Sequence, residues 1–259
     1  MSLIQIIENN FFAVGRYWGN INSSISSDAG IFSMNTGIDV ADLNWTWNEK
    51  SLFEQDSKIL NQLKENYNDL NLPFWWWVYP CGQSEKTKEV LRNSGFNYRE
   101  TIPCMALDLD SKPLEMHKSQ NVEVSFVGDD RELKIWESVS FEGFEMPQNT
   151  KSQFHKFVKS FDVSKNSQQK LFLAYWEGKP AATALLFLQG NAAGVYFVTT
   201  LPINRNKGIA LALIMNLAKY AKNFGYKFCV LQSSKEGLNV YMRAGYKECC
   251  RVDVYCLSD

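Results

Sequence analysis

The chain has 259 residues, 45% of them hydrophobic and 14% aromatic, with a formal net charge of -1. A chain of this size buries roughly 70–75% of its unfolded surface, which predicts a well-cored globular protein of one large or two small domains and excludes intrinsic disorder. The near-neutral balance, without any block of like charges, argues against a nucleic-acid partner, because such a surface needs clustered Lys and Arg to displace counterions.

The first stretch, MSLIQIIENNFFAVGRYWG, has no basic segment ahead of its apolar part and meets Glu8 early. With no apolar run of about 18 residues anywhere, the expectation is a cytoplasmic protein that does not enter a membrane. Residues 56–70 (DSKILNQLKENYNDL) carry helical spacing, and LPFWWWVYP (72–80) reads as a strand. The alternation of Trp75 and Trp77 with Trp76 fits a strand packed on both faces, so these rings, with Trp45 and Trp47, are expected in the core rather than in a ligand box. A polar, Pro-containing stretch at 108–121 is the expected linker.

The second half has clearer punctuation. Residues 122–127 alternate as a strand, 129–139 form a helix, and the Phe-rich stretch from Phe141 to Phe157 reads as a loop followed by a helix near 150–160. KLFLAYWEG and KPAATALLFLQG are strands joined at Glu177-Gly178, a hairpin signal, and AAGVYFVTT is the next strand. Ile209, Leu213, Ile214, Leu217, Ala218, Ala221 and Phe224 then recur at helical spacing up to Gly225, a natural helix-ending residue. YKFCVLQ is a buried-type strand, an S-x-x-E box predicts a helix over 234–243, and YKECCRVDVYCL closes as strand. Residues 90–109 align with 240–259 without a gap, Gly95-Phe96 on Gly245-Tyr246, which indicates a weak internal repeat.

Six cysteines are present, none in a C-x-x-C pair, and the two histidines, His117 and His155, lie far from any paired cysteine spacing. No metal is therefore expected, and the thiols are expected to be reduced and packed as small hydrophobes.

The loop Arg205-Asn206-Lys207-Gly208-Ile209-Ala210 stands where a strand hands over to a helix. Unpaired backbone N–H groups and a partial positive charge make a helix N-terminus a ready anion site. Gly208 lets backbone approach a bulky anion, Arg205 and Lys207 add charge, and Ala210 keeps the next turn open. The chain has neither GxxxxGK[ST] nor GxGxxG, so the signal is not that of an NTPase or a dinucleotide fold. A solvated loop at a helix start is the plain alternative.

The order Thr200-Leu201-Pro202, then Arg205 to Ala210, then Tyr241-Met242-Arg243-Ala244-Gly245-Tyr246 resembles the GNAT superfamily of acyl-CoA-dependent N-acetyltransferases over roughly 120–259. The resemblance implies an α/β (α+β) fold with a mixed, largely antiparallel central sheet flanked by helices. Residues 1–110 would be a degenerate second GNAT-like unit, and 120–259 the catalytic domain. It implies acetyl-CoA (or free coenzyme A) as co-substrate and a primary amine of a small molecule or peptide as acceptor. The pyrophosphate would lie on the N–H groups of Arg205, Asn206, Lys207, Gly208, Ile209 and Ala210, and the pantetheine arm along Val198, Thr199 and Thr200. Ser234 stands where many members carry Asn.

Tyr241 holds the position of the family's general acid, though a core Tyr packed beside Tyr246 is the competing role. A backbone N–H near Val198 would meet the thioester carbonyl. The strand has no carboxylate, so Glu142 and Glu145 in the Phe-rich loop are the candidate bases, ahead of Glu137 and Asp162; solvated loop charges are the alternative. The N-terminal copy lacks the loop and has Leu91 in place of Tyr241. Two other functions share these features: a tandem-GNAT aminoacyl transferase and a non-catalytic acyl-CoA sensor.

Overall fold

A computed structural model describes residues 1–111 and 121–257; residues 112–120 of the expected linker, and His117 with them, lie outside the described residues. The first half runs α1 (Leu3–Ile21), β1 (Ser26–Asp28), β2 (Ile31–Met34), β3 (Trp45–Asn48), α2 (Ser57–Asp69), β4 (Trp75–Val78), α3 (Glu85–Asn93) and β5 (Phe96–Asp108). The second runs β6 (Val122–Phe126), α4 (Asp130–Gly143), α5 (Lys151–Lys159), β7 (Gln169–Trp176), β8 (Lys179–Gln189), β9 (Ala192–Thr200), α6 (Ile209–Asn223), β10 (Phe228–Gln232), α7 (Leu238–Arg243) and β11 (Lys247–Leu257).

Contacts divide the chain into two compact units, Met1–Phe11 with Cys104–Cys249, and Phe12–Pro103 with Cys250–Asp259. In the smaller unit the strand order is β1-β2-β3-β4-β11, antiparallel except for the parallel pair β3/β4. Its core gathers Leu60, Leu63 and Tyr67 of α2, Val90 and Leu91 of α3, and Trp76. Trp76 is fully buried, its indole N–H donates to Asn48 Oδ1 at 2.8 Å, and its ring meets Phe96 edge-on at 5.2 Å. Trp47 is fully buried against Phe12, and Trp45 lies 6.0 Å from Trp77. Trp45, Trp47, Trp76 and Trp77 are core as expected, whereas Trp75 is only half-buried, with the Arg99 guanidinium 4.8 Å over its ring.

The larger unit has the order β5-β10-β9-β8-β7-β6, antiparallel except for β9/β10. The Glu177-Gly178 turn takes φ of +50° and +74°, the two left-handed residues that a tight two-residue hairpin requires. β8 is buried over most of its length because α6 covers one face and α4 the other. The apolar stripe of α6 supplies Leu213, Ile214, Leu217, Ala218 and Ala221 to a core shared with Leu186, Val195 and Leu231. The two halves of the chain repeat one sequence of parts: a parallel strand pair joined by a helix, then a short helix, a left-handed glycine (Gly95, φ +87°; Gly245, φ +94°) and a long final strand.

Three expectations change. The helix expected over 129–139 continues to Gly143, so Glu142 rides the last helical turn rather than a loop. The helix expected from 234 begins at Leu238: Ser234 Oγ accepts from Gly237 N at 3.1 Å and Ser233 Oγ donates to the Ser234 carbonyl, which closes a turn instead of a capping box. The cysteines do not all pack as small hydrophobes: Cys104 and Cys229 are buried, Cys249, Cys250 and Cys256 are half-buried, and Cys81 is exposed.

Candidate functional site

The site is built where β9 stops pairing on one side. β9 runs parallel to β10 only through Ala192, Ala193 and Gly194, while on its other edge it stays paired with β8 to Thr200. The pairing of β8 with β9 slips by one residue between Thr183 and Leu185, and Phe197, at φ +50°, is the bulged residue. A bulge bends the strand and raises its local twist, which fits the end of pairing at Gly194. No local signal in AAGVYFVTT announces it, since Phe favours ordinary strand geometry. Tertiary contacts impose it: Thr183 Oγ1 donates to the Phe197 carbonyl at 3.2 Å, Ser140 donates to Thr183 at 2.9 Å, and the ring sits among Trp136, Phe154, Phe157 and Phe161.

Val198 and Thr200 follow, half-buried, with Thr199 buried between them. The end of α4 approaches so closely here that a Cβ on Gly143 would lie 2.7 Å from the Thr199 side chain. After Thr200 a 3-10 turn, Pro202–Asn204, leads to the loop. Arg205 N–H is used in that turn, donating to the Pro202 carbonyl at 3.2 Å, and so does not belong to the expected cradle.

Asn206 and Gly208 both take left-handed φ, +63° and +77°, and Gly208 starts α6 with no side chain capping it. Its Cα faces open space, with nothing within 4 Å of a built Cβ. The N–H groups of the first helical turn have no intrahelical carbonyl to bond. Ile209 turns its side chain into the core, while Ala210 is half-buried and small. Lys207 lies exposed, bonded to Asn204 Oδ1 at 3.2 Å and 5.6 Å over the Trp176 ring. An exposed cation beside an uncapped helix start fits a phosphorylated guest.

Arg205 is used differently. Nη2 donates to the Gly143 carbonyl at 3.0 Å and to Glu145 Oε2 at 2.8 Å, and Nε to the Thr200 carbonyl at 3.2 Å. Glu145, one of the candidate bases, is thus an ion-pair partner, held at φ +51°. Glu142 is exposed on α4. Glu137 pairs with His155 Nδ1 at 3.0 Å across α4 and α5.

Tyr241 is 8% exposed on α7, packed in the same core cluster as Ile209 and, at its edge, Val198. Its ring meets Tyr246 at 5.7 Å, and burial pushes its phenol well above the ordinary value, so the hydroxyl stays protonated. A Cβ on Gly237 would lie 2.8 Å from its Cε2, so this glycine sets where the ring can go. Sequence reasoning missed Gly237, Phe197 and Gly194. Gly194 had a signal, since a glycine inside a strand marks close approach: its Cβ would fall on the Asn10 side chain. Ser234 is exposed and committed to its turn. Among the described residues no cluster of His, Cys, Asp and Glu could hold a metal, and no helix is long and apolar enough to cross a membrane.

Residues 137–255 match the acetyltransferase (GNAT) domain family. No curated protein matches the chain. A GCN5-related N-acetyltransferase from Kribbella flavida superposes with a TM-score of 0.71 at 14% identity, over 96% of this chain and 95% of that one. One from Sphaerobacter thermophilus gives 0.66 at 16% identity, over 88% and 76%. A tandem GNAT protein from the clavulanic acid biosynthesis pathway gives 0.59 at 10% identity, over 88% and 79%. At these identities the structural likeness speaks for the fold, a mixed α/β, largely antiparallel arrangement flanked by helices.

Proposed function

With residues 137–255 a GNAT acetyltransferase domain, we propose that this protein moves an acetyl group from acetyl-CoA to a primary amine of a small molecule or peptide. The observation that carries the reading is the break between β9 and β10 after Gly194, beside a helix that begins uncapped at Gly208. An unpaired strand edge can accept an extended chain of amides, and an uncapped helix start can accept a pyrophosphate. Acetyl-CoA supplies the activated thioester.

The chain's own residues do the rest. N–H groups from Asn206 to Ala210 hold the phosphates, with Lys207 adding charge. Backbone of Val198 to Thr200 aligns the pantetheine arm, and an N–H near Val198 faces the carbonyl on which negative charge develops. Tyr241 keeps its proton over the working pH range and gives it to the departing sulfur; burial ensures the proton is there and makes the phenol a weaker acid. Glu142, exposed and unclaimed by the Arg205 pair, is the better placed of the two candidate bases; Glu145 spends its carboxylate on Arg205.

The catalytic part is residues 120–259, and 1–110 is a degenerate copy. In that copy β3 runs only one residue, Asn48, past its last pair with β4, whereas β9 runs six past Gly194, so no comparable edge is left for an extended chain. Glu54 and Asp56 stand at the start of α2, and Asp56 Oδ2 takes the Phe53 N–H at 2.8 Å. Carboxylates there repel a phosphate. Leu91, fully buried, offers no proton.

The test is calorimetric titration with coenzyme A, followed by an amine panel with acetyl-CoA, reading free thiol. Binding and amine-dependent thiol release are expected. Binding without release for any amine would favour a sensor, and no binding would remove the reading.

A further inference from the structure

We propose that the side chain of Arg205 is a positioning residue for the acceptor side of the cleft, not a ligand of the coenzyme's phosphates. This rests on the acetyltransferase reading above. The guanidinium reaches across 62 positions of sequence to the Gly143 carbonyl and 60 to the Glu145 carboxylate, while Nε holds the Thr200 carbonyl. Both Nη2 protons and the Nε proton are thereby spent on this chain. Three places are tied by one side chain: the end of β9, the end of α4, and the corner after it.

What that corner carries is Phe144, between the two tethered residues. It is 43% exposed and meets Phe197 edge-on, centroids 6.0 Å apart. Phe197 is the bulged residue immediately ahead of Val198 to Thr200, where the acyl group would lie. Phe144 is thus an exposed ring packed on the residue that leads into this segment, at a corner whose N–H groups fold back onto α4 (Phe144 to Ser140, Glu145 to Glu142, Met146 to Phe141) and which Arg205 ties to the end of β9. Glu145 holds a left-handed φ that non-glycine residues avoid, and Gly143 lies so close to Thr199 that a side chain there would clash. Arg205 holds this corner in place. The acceptor class that follows is an amine with an apolar or aromatic group beside it, able to lie against Phe144.

The ion pair is no general stabiliser. Arg205 and Glu145 side chains are 45% and 63% exposed, and pairs so wetted contribute little to global stability. The melting temperature of Arg205→Ala should stay near that of the parent, and a local readout is needed.

The experiment compares full-length parent, Arg205→Ala, Arg205→Lys and Glu145→Gln. Calorimetry uses coenzyme A alone, hydrogen exchange follows the amides of 141–147, and steady-state kinetics use acetyl-CoA with aromatic and aliphatic amines from the panel. For Arg205→Ala the expectation is coenzyme A affinity within about threefold, exchange at 141–147 faster by about tenfold, and amine KM raised about tenfold, most for aromatic amines. Arg205→Lys, which cannot bridge two acceptors in a plane, should resemble the Ala variant, and Glu145→Gln should fall between. Coenzyme A affinity lowered tenfold or more with exchange unchanged would overturn the proposal in favour of a phosphate ligand. If the parent binds no coenzyme A, the acetyltransferase reading fails instead, and exchange at 141–147 still decides whether Arg205 holds the corner.

Discussion

Gly237→Ala tests the placement of Tyr241 without touching the phenol. A methyl at 237 would sit 2.8 Å from Tyr241 Cε2 and 3.5 Å from Cδ2. An ordinary carbon–carbon contact is about 3.5–4.0 Å, so the ring must retreat by roughly 0.7 Å or the 234–237 turn must give. Tyr246, 3% exposed, stands 5.7 Å away in an edge contact and limits how far the ring can slide. Overpacking of this kind costs about 1–3 kcal/mol, and the partly exposed turn puts it at the lower end. Displacement of a catalytic group by an ångström can cost about 10²-fold, so turnover should fall by about 10- to 10²-fold with coenzyme A affinity little changed. Tyr241→Phe alone should cost about 10²–10⁴-fold. The assay is thiol release from acetyl-CoA at saturating amine, for both single variants and the double. If Gly237 acts through the hydroxyl, the double variant is no slower than Tyr241→Phe, because the group that it misplaces is already gone. A Gly237→Ala protein at parental turnover, or losses that multiply in the double variant, would refute the reasoning.

Gly208→Glu places a carboxylate at the open start of α6, at a φ of +77° that disfavours any side chain; coenzyme A binding should vanish by calorimetry while circular dichroism stays native. Full-length protein should titrate with one coenzyme A per chain, since the α2 start carries Glu54 and Asp56, and a stoichiometry of two would defeat the assignment of 1–110 as a degenerate copy. Trp76→Ala should cost about 3–5 kcal/mol in denaturant unfolding, as expected for an aromatic ring fully enclosed with its N–H bonded to Asn48. Burial raises the Cys229 thiol from 9.0 to about 12 and the Tyr67 phenol from 10.0 to about 12. Both are neutral when folded and ionise earlier when unfolded, so their stabilisation is complete below about pH 9 and is lost as pH climbs towards 12. A denaturation midpoint that stays flat from about pH 8 to 11 would contradict this.

Legible from the sequence alone were the order of strands and helices from residue 122 onward, the α2–β4 pair before it and the glycines that end elements; the long first helix, Leu3–Ile21, and the short strands β1 to β3 were not. Apolar spacing is a local property, and Gly95, Gly208 and Gly245 stand at left-handed positions that a Cβ disfavours, so both can be read without knowing what packs where. The alternation of Trp75, Trp76 and Trp77 likewise foretold a strand buried on two faces. The uncapped start of α6 at Gly208 was legible for the same reason. Which groups in the 205–210 loop are available depends on contacts made from far along the chain. Arg205 reads as a phosphate contact until the fold brings Gly143 and Glu145 to it from about sixty positions away. Glu142 and Glu145 looked equivalent three residues apart, and separated once α4 extended to Gly143 and the ion pair claimed one of them. Phe197 carries no local mark of its bulge, because hydrogen bonds from Thr183 and rings from α4 and α5 hold it there. The ends of β5 and β11 pair in units other than those in which they begin, which no spacing encodes. Periodicity records what a residue does to its neighbours in the chain; the destination of a polar group is set by whichever partner folding delivers, and that partner is distant in sequence.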